Sequence, residues 1–358
     1  MSNLNKLRRY LKSSEYDGII LGRRDNYKWI TEENNNEILT STEVGVAYLI
    51  VLEKELLLVA DSSDCERMKE EQNALGAKCI VVPWSEGPIS YISNYAQNKI
   101  LASDTDIDGT INIQEDLITL RMTLNQMEVK RYREIGVLMA CVVENVISEA
   151  RPGDTEKQVA TRLKAECIEE GVSPDCVLVG SDERLLKYRH PMPTDKRIEK
   201  TLMVVLGGEK YGLNISLTRI ICFSEIPNDY KVKMEKVQHV FAYMQTMMKG
   251  GLSYSEYFNK VKDLYREVGY KDEWLEHHQG GPTGYACREV VVSDATKGSI
   301  ENGVAFAWNP TLQGTKCEET TFLSDDKVEI LTNTKSWPRR TVNTPYGELD
   351  VAEIRIVK

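Results

Sequence analysis

The stretch from His277 to Glu289, HHQGGPTGYACRE, places side chains that can do chemistry beside glycines that let the backbone approach a ligand closely. It holds two of the four histidines of the chain and ends in an Arg-Glu pair. Polar residues on a glycine-rich loop between regular elements often form binding or catalytic sites, so we expect a site here. The alternative is a connector with solvated histidines. The valines at 290–292 predict that a buried strand follows.

The eight cysteines are scattered along the chain, and no two of them form a CxxC pair. Scattered cysteines among apolar neighbours are usually small buried hydrophobic residues. This interpretation is favoured over the alternatives, a disulfide framework or a zinc site. The cysteines are Cys65, Cys79, Cys141, Cys167, Cys176, Cys222, Cys287 and Cys317.

Composition narrows the class of protein. The chain has 358 residues, enough for two domains, and its hydrophobic fraction of 41% and charged fraction of 28% are typical of a soluble globular protein. A net charge of −10 without a basic block argues against a nucleic-acid partner. The first residues, MSNLNKLRRYLKSS, lack the apolar core of a signal peptide, and no apolar run is long enough to span a membrane. We expect a cytoplasmic protein.

The first 120 residues alternate strand and helix patterns, which indicates a small α/β domain, and residues 121–358 predict a second domain that opens with a long helix. A charged, aromatic run at 23–31 predicts a loop. The predicted helices are 1–15, 61–77, 87–97, 125–150, 154–171, 228–249 and 254–268, and the predicted strands are 17–22, a hairpin at 44–60, 79–84, 99–104, 176–181, 202–208, 215–223, 304–308, 315–323 and 328–331.

Several longer segments carry a more specific signal through their order and spacing. They are MTLNQMEVKRYREIGVLMACVVENVISEARPGDTEKQVA (122–160), RHPMPTDKRIEK (189–200), LGGEKYGLNISLTRIICF (206–223), and HHQGGPTGYACRE followed by AFAWNPTLQGTKCEETTFL. Together they resemble the creatinase, aminopeptidase P and methionine aminopeptidase family. The resemblance implies an α+β protein, with a pita-bread catalytic-like domain at 121–358 and a smaller α/β creatinase/prolidase-like domain at 1–120. It also implies a homodimer.

The resemblance further implies where metal ligands would stand. The two aspartates of the family fall on Val205 and Ser216, the histidine on Gly281, and the first glutamate on Asn309, whereas the last glutamate is retained as Glu318. Two divalent cations need several hard anionic oxygens to offset their desolvation. One carboxylate does not supply them, so we expect no metal and no other cofactor.

Two interpretations of His277 and His278 stay open. A shifted metal site could use both of them with Glu318. Without metal, one of them lines the pocket as a substrate-binding residue and the other packs or caps, and the sequence does not say which. Asn309 can donate and accept hydrogen bonds, so it is a candidate for binding a substrate amide or guanidinium group.

His190, Glu318 and Arg288 take catalytic or binding roles by resemblance. His190 stands where the family keeps a substrate-facing histidine, which moves the proton in the metal-free creatinase. Glu318 would orient water or a substrate nitrogen, and Arg288 would bind a substrate carboxylate. The alternative is structural: a capped histidine and an ion pair. If both charged residues face the pocket from strands, Cys287 and Cys317 face away, which disfavours a cysteine nucleophile.

In the first domain, Arg24, Asn26, Tyr27 and Trp29 lie on the segment that caps the pocket in related dimers. Arg24 and Tyr27 are therefore candidate substrate-binding residues. The alternative is ordinary surface.

Three functions fit these observations. The first is a metal-independent, creatinase-like hydrolase that cleaves a C–N bond in a small carboxylated amine, amide or guanidino compound. The second is an Xaa-Pro-type aminopeptidase or dipeptidase with an altered metal site. The third is a non-catalytic pseudo-peptidase that binds peptide or protein. The retention of His190, Arg288 and Glu318 favours the first, with a small molecule as the partner.

Overall fold

The computed structural model describes residues 2–357, and the chain forms two compact units. The first unit ends at Asn125 and the second begins at Gln126. Among the described residues, no helix combines the length and the apolar character that crossing a membrane requires.

The first unit combines five helices and six strands within its described residues. The helices are α1 (Asn3–Ser13), α2 (Arg24–Thr31), α3 (Cys65–Glu71), α4 (Gly87–Ala96) and α5 (Gln114–Met122). The strands are β1 (Gly18–Arg23), β2 (Val44–Val51), β3 (Leu56–Asp61), β4 (Lys78–Val82), β5 (Leu101–Ser103) and β6 (Thr110–Asn112).

One mixed sheet, in the order β4-β3-β2-β1-β5-β6, organises the first unit. The apolar runs place β1 and β2 at its centre, where Ile20 lies opposite Ile50 in an antiparallel pair and both are fully buried. The predicted hairpin at 44–60 is confirmed as β2 and β3, which pair antiparallel. Strand β5 pairs parallel to β1. The apolar runs in the sequence of this unit therefore predicted its α/β class correctly.

The predicted loop at 23–31 is wrong, because Arg24–Thr31 forms helix α2. The segment contains neither glycine nor proline, and its aromatic side chains point into the unit: Tyr27 and Trp29 are each 1% exposed. Glu32 ends the helix in the left-handed conformation, at φ 66°. Charge and aromatic content suggested a surface loop, but burial of the aromatic rings stabilises a helix instead.

The second unit contains the longer helices α6 (Gln126–Glu149), α7 (Glu156–Glu169), α8 (Asn228–Thr246) and α9 (Tyr254–Glu267). Its strands are β7 (Ser173–Ser181), β8 (Thr201–Lys210), β9 (Leu213–Cys222), β10 (Gly280–Thr283), β11 (Val304–Trp308), β12 (Thr311–Leu312), β13 (Thr315–Lys316), β14 (Glu319–Ser324), β15 (Lys327–Ile330), β16 (Arg339–Thr344), β17 (Gly347–Ala352) and β18 (Arg355–Ile356).

Two four-stranded sheets form the body of the second unit, in the orders β18-β9-β8-β7 and β10-β11-β14-β15. Every residue of β9 is buried. The two sheets meet at β9, because the Thr218 amide donates to the Glu318 carbonyl at 3.1 Å and the Ser216 amide donates to the Thr320 hydroxyl at 2.8 Å. The chain just before β14 therefore lies beside the middle of β9.

The glycine-rich stretch differs from its prediction in two respects. Gly280–Thr283 forms strand β10 rather than a loop, and the valines at 290–292 form no strand. Gly280 has φ +104°, and a Cβ atom on Gly281 would lie 2.1 Å from the Val290 carbonyl oxygen. Because Gly280 and Gly281 have no side chains, β10 can pair with β11 while the segment at 290–292 packs directly against it.

A buried ionic cluster lies behind the sheets. The guanidinium of Arg219, which is 1% exposed, pairs with Glu144 of α6 at 3.0 Å and with Glu319 of β14 at 3.1 Å. Glu319 also accepts from Arg339 at 3.1 Å, and Arg219 donates to the Thr332 carbonyl at 2.7 Å. The cluster joins a helix, both sheets and the segment after β15.

We expect substitution of Arg219 by Met to destabilise the second unit by about 3–5 kcal/mol, because buried Glu144 loses its cation and buried Glu319 loses one of two. Substitution of Arg133 by Met is the matched control. Arg133 pairs with Glu329 at 2.9 Å, but both side chains are about half exposed, so the expected cost is below about 1 kcal/mol. Urea unfolding of both variants measures the difference. Equal costs for the two would contradict a stabilising cluster, and Arg219→Lys gives a milder variant if Arg219→Met does not fold.

Candidate functional site

A cavity of about 120 Å³ opens beside β7, β8 and β9 in the second unit. Two larger hollows, of about 460 and 440 Å³, lie elsewhere in this unit, but neither is lined by a histidine. The smaller cavity collects the reactive side chains and is the candidate site. Its lining residues are Cys176, Leu178, His190, Val205, Leu206, Gly207, Ser216, His278, Cys287, Arg288, Asn309, Lys316 and Glu318.

His190, Arg288 and Glu318, which are far apart in the sequence, all line this cavity. The carboxylate of Glu318 accepts from the Arg288 guanidinium at 3.2 Å and from the Lys316 ammonium at 3.0 Å. The Thr218 hydroxyl also donates to it, at 2.8 Å. Burial by itself would raise the pKa of Glu318, but Lys316 and Arg288 outweigh burial and lower this pKa to about 2. The carboxylate is therefore ionised and paired.

Sequence reasoning missed Lys316, which is 5% exposed and paired in the cavity. The signal was available, since residues two apart on an extended chain face the same side. Lys316 precedes Glu318 by two positions, so a cavity-facing glutamate implies a cavity-facing lysine. Arg288, Lys316 and Glu318 together carry a net charge of +1.

The two histidines that line the cavity, His190 and His278, and the adjacent His277 all have lowered pKa values and are neutral at physiological pH. Burial and then the charge of Lys316 lower the pKa of His277 to about 3, and burial followed by the charge of Arg288 lowers that of His278 to about 4. The pKa of His190 is also lowered, first by partial burial and second by Lys316. A neutral imidazole can accept a proton, which is what a general base requires.

Of the two adjacent histidines, His277 and His278, only the second faces the cavity. His278 lines it, whereas His277 lies behind His190, with 2.9 Å between the two Nε2 atoms. The rings of His277 and His278 stack at 4.4 Å. The sequence could not resolve this, since it depends on the backbone turn that precedes β10.

Two buried polar atoms of the cavity residues have no hydrogen-bond partner among the residues 2–357. They are the Nε of Arg288, a donor, and the Oδ1 of Asn309, an acceptor. The rest of the Arg288 guanidinium is bonded, to Glu318 and to the Ser216 hydroxyl at 3.2 Å. Asn309 itself is 3% exposed. Buried unpaired polar atoms are uncommon in proteins and call for an explanation.

The expected orientation of Cys287 is wrong, because Cys287 lines the cavity together with Arg288. The inference required a strand, and this segment is not one. Cys287 and Cys176 are also exposed rather than buried. Cys317 is buried and does not line the cavity, as its alternation with Glu318 predicts.

The first-unit candidates are held within their own unit. The Tyr27 hydroxyl donates to the Gln72 carbonyl at 2.7 Å, and Arg24 pairs with Glu37 at 3.2 Å. Tyr27 and Trp29 are each 1% exposed, and a substrate contact of Tyr27 stays a prediction. Asn26 is likewise buried, and its amide donates to Asp104 at 3.0 Å. For Arg24 a substrate contact stays a prediction.

Comparison with known proteins identifies the relatives. The family model described as metallopeptidase family M24 matches residues 130–329, and the creatinase/prolidase N-terminal domain matches residues 3–170. No curated protein matches. These matches confirm the resemblance inferred from the sequence.

Solved structures share the fold over nearly the whole chain. The prolidase from Pyrococcus horikoshii OT3 is 16% identical, with a TM-score of 0.78 over 93% of this chain and 98% of the other. The Xaa-Pro dipeptidase from Bacillus anthracis is 20% identical, with a TM-score of 0.77 over 99% of each chain. The N-terminal domain of the FACT subunit SPT16 from chickpea is 11% identical, with a TM-score of 0.67 over 94% and 97%. The predicted α+β pita-bread fold is confirmed.

The donor atoms of the cavity do not fit a pair of divalent metals. The carboxylate of Glu318 is already neutralised by two cations, and a metal would add charge to a cavity that is already positive. Within residues 2–357, no three His, Cys, Asp or Glu side chains are placed to hold a metal ion. The alternative site built from His277, His278 and Glu318 is therefore not supported by the geometry.

We expect the purified protein to carry well under one equivalent of Mn, Zn, Co or Fe, because Lys316 and Arg288 repel a cation from Glu318. Addition of millimolar Mn²⁺ should leave the thermal unfolding midpoint unchanged, since a ligand stabilises only the folded state that binds it. Elemental analysis and thermal scans measure both. Stoichiometric metal that is retained in wild type and lost in Glu318→Gln would show that the cavity binds metal after all.

We expect stability to fall as pH decreases from about 6.5 to about 3. In this range His277 and His278 bind protons in the unfolded chain but remain neutral in the folded protein. The folded pKa lies below the unfolded value, so the unfolded chain binds more protons in this window. His277→Gln should shrink the loss of urea midpoint between pH 7 and pH 5.

His239→Gln, on α8 and outside the cavity, is the control and should leave that loss unchanged. Comparing the variants at each pH removes the contribution that other titrating groups make to the pH dependence of stability. One of these groups is Asp104 in the first unit. Its burial raises its pKa to about 6, so it acts in the opposite direction. An identical pH dependence in His277→Gln and wild type would count against a buried neutral His277.

Proposed function

The chain belongs to metallopeptidase family M24, and from this premise we propose that it is a metal-independent hydrolase of a C–N bond in a small carboxylated amine, amide or guanidino compound. One observation carries the proposal. A neutral histidine, His190, lines the same cavity as Arg288 and Lys316, which both pair with the carboxylate of Glu318. In the proposed function, Lys316 and Arg288 supply the positive charge that divalent metals supply in a metallopeptidase.

The charges and unpaired atoms of the cavity support a substrate that carries a carboxylate. Arg288 and Lys316 outnumber Glu318, which favours an anion in a site of low dielectric. The unpaired Nε of Arg288 calls for an acceptor, and the unpaired Oδ1 of Asn309 calls for an N–H donor. A molecule with a carboxylate and an amide, amine or guanidino nitrogen supplies both. Small side-chain movements would bring these buried atoms to such a ligand.

The size of the cavity supports a small substrate. Pockets that hold drug-sized ligands measure roughly 300–1,000 Å³. The cavity of this protein measures about 120 Å³, so it suits a compound of a few heavy atoms beyond its carboxylate. A long peptide would extend beyond it.

In the proposed reaction His190 moves the proton. Its neutral imidazole takes a proton from water as the water oxygen bonds to the carbon of the scissile C–N bond. The same imidazolium then delivers that proton to the leaving nitrogen as the C–N bond breaks, so the histidine returns to its neutral form. Glu318 is a weak base because its pKa is about 2. Its role is to fix Arg288 and Lys316 and to balance their charge.

A dipeptidase activity is the second candidate, and the names of the structural relatives favour it over a creatinase-like reaction. A prolidase and an Xaa-Pro dipeptidase share the fold over nearly the full length. An Xaa-Pro dipeptide also carries a carboxylate and an amide bond, so it belongs to the proposed substrate class in the wider sense. The two candidates differ in the substrate and in the need for a metal. The likeness to the SPT16 domain keeps a binding-only protein as an outcome of the test.

The test is a screen of guanidino, ureido and N-acyl amino acids beside Xaa-Pro dipeptides, with and without chelator. We expect turnover that chelator leaves intact. His190→Asn should lower kcat by about 10²-fold or more, the scale of general acid–base catalysis. Arg288→Lys keeps the charge but loses the planar fork, so it should raise KM more than it lowers kcat.

His239→Asn is the control for loss of a histidine as such. Hydrolysis of Xaa-Pro dipeptides only in the presence of added metal would replace the proposal with the dipeptidase. Binding of the carboxylated compounds without turnover, equal in wild type and His190→Asn, would point to a binding protein.

A further inference from the structure

Three consecutive hydrogen-bonding groups form a chain behind the cavity. The carbonyl oxygen of His278 lies 2.5 Å from the Nδ1 atom of His277. The Nε2 atom of His277 lies 2.9 Å from the Nε2 atom of His190. The rings of His190 and His277 are tilted by 60° with centroids 4.9 Å apart, which excludes parallel stacking as the reason for the contact.

The direction of these hydrogen bonds follows from elementary chemistry. A carbonyl oxygen only accepts, so Nδ1 of His277 carries the proton that bonds to it. A neutral imidazole has one N–H, so Nε2 of His277 is an acceptor. The N–H in the ring-to-ring bond therefore belongs to Nε2 of His190. Neutral His190 is left with its lone pair on Nδ1, to which no residue within 2–357 forms a hydrogen bond.

The position of His277 is fixed by a second set of contacts. The side-chain amide of Gln279 donates to the His277 carbonyl, and the Tyr265 hydroxyl donates to the Gln279 side chain at 2.7 Å. Gln279 and Tyr265 are fully buried. His277 is 7% exposed, whereas His190 is exposed and forms the outer end of this series of hydrogen bonds. These contacts hold the backbone of His277, and the His278 carbonyl holds its ring, whereas the exposed His190 ring bonds to His277.

We infer that His277 is a positioning residue that fixes the tautomer and orientation of His190, so that Nδ1 of His190 is the atom that accepts the proton. This inference rests on the proposed function for its catalytic meaning. When His190 gains a proton at Nδ1, its Nε2–H becomes a charged donor to His277, and hydrogen bonds from charged donors are stronger. His277 therefore stabilises the protonated form of His190 without touching the substrate.

Other charged groups act on His190 from the elements around it. Lys316 opposes its protonation and Glu318 favours it. Arg288 and the neutral His278 line the same cavity. These groups are unchanged in a His277 variant, so a difference between wild type and variant reports the ring-to-ring bond.

The first test needs no substrate. The chain has four histidines, so two-bond ¹H–¹⁵N spectra of protein labelled at histidine are simple. The variants His190→Asn, His239→Gln and His277→Gln assign three of the signals, and the fourth belongs to His278. At pH 7.5 we expect His277 as the Nδ1–H tautomer and His190 as the Nε2–H tautomer. His277 in the Nε2–H form would overturn the inference, whether or not the protein proves to be a hydrolase.

The second test compares two substitutions of His277. Gln places its amide oxygen near the position of Nε2 and keeps an acceptor for His190, whereas the shorter Asn does not reach it. In His277→Asn, the NMR-titrated pKa of His190 should fall by about one unit, because a hydrogen bond to a charged donor is lost. His277→Gln should keep most of the wild-type pKa.

With a substrate in hand, the acid limb of the kcat/KM profile should shift in the same direction, and kcat of His277→Asn should fall about tenfold with little change in KM. Equal His190 pKa values in wild type and His277→Asn would overturn the inference. If no substrate is found, or if His190→Asn retains full turnover, the proposed hydrolase fails while the spectra still decide the role of His277.

Discussion

The second unit depends on the neutralisation of two adjacent carboxylates that face opposite ways. Glu318 faces the cavity and is paired with Arg288 and Lys316. Glu319 faces the interior and is paired with Arg219 and Arg339. Ionised carboxylates are costly to bury without partners, so each needs cations from elsewhere in the chain. The opposite orientation of these two side chains at the start of β14 thus links the charge balance of the site to that of the core.

This arrangement explains how a fold shared with metallopeptidases is maintained with these residues in the cavity. In a metal site, the bound cations offset the mutual repulsion of several clustered carboxylates. In this protein the cavity holds the covalently attached positive charges of Lys316 and Arg288, and the single carboxylate of Glu318 balances one of them. The cost is that lysine and arginine cannot activate water as a Lewis acid does. In the proposed function His190, which lines the cavity, moves the proton.

The sequence was sufficient for the fold, and for the site it was sufficient only in part. The order of the segments led to the correct family, and His190, Arg288 and Glu318 do line one cavity. Lys316 was missed although its spacing to Glu318 pointed to it. The contact between His190 and His277 could not be predicted, because it joins residues 87 positions apart through a backbone turn that no local pattern specifies.

The other misses have a common physical origin. Helix α2 and strand β10 were both expected to be loops, one for its charges and one for its glycines. In each case tertiary packing decided the outcome: the aromatic rings of α2 are buried, and the glycines of β10 permit a close approach of neighbouring backbone. Local composition describes which conformations a segment tolerates, whereas the surrounding structure selects one of them.

The same close approach also limits which residue can stand at position 281. By the family resemblance, Gly281 stands where the histidine ligand belongs. Any side chain there would place its Cβ 2.1 Å from the Val290 carbonyl oxygen and 3.2 Å from the Val292 side chain. A single codon change to histidine would therefore meet a backbone clash before it could provide a ligand. The segment at 290–292 would have to move before any side chain could fit, so the packing of two backbone segments holds this position to glycine.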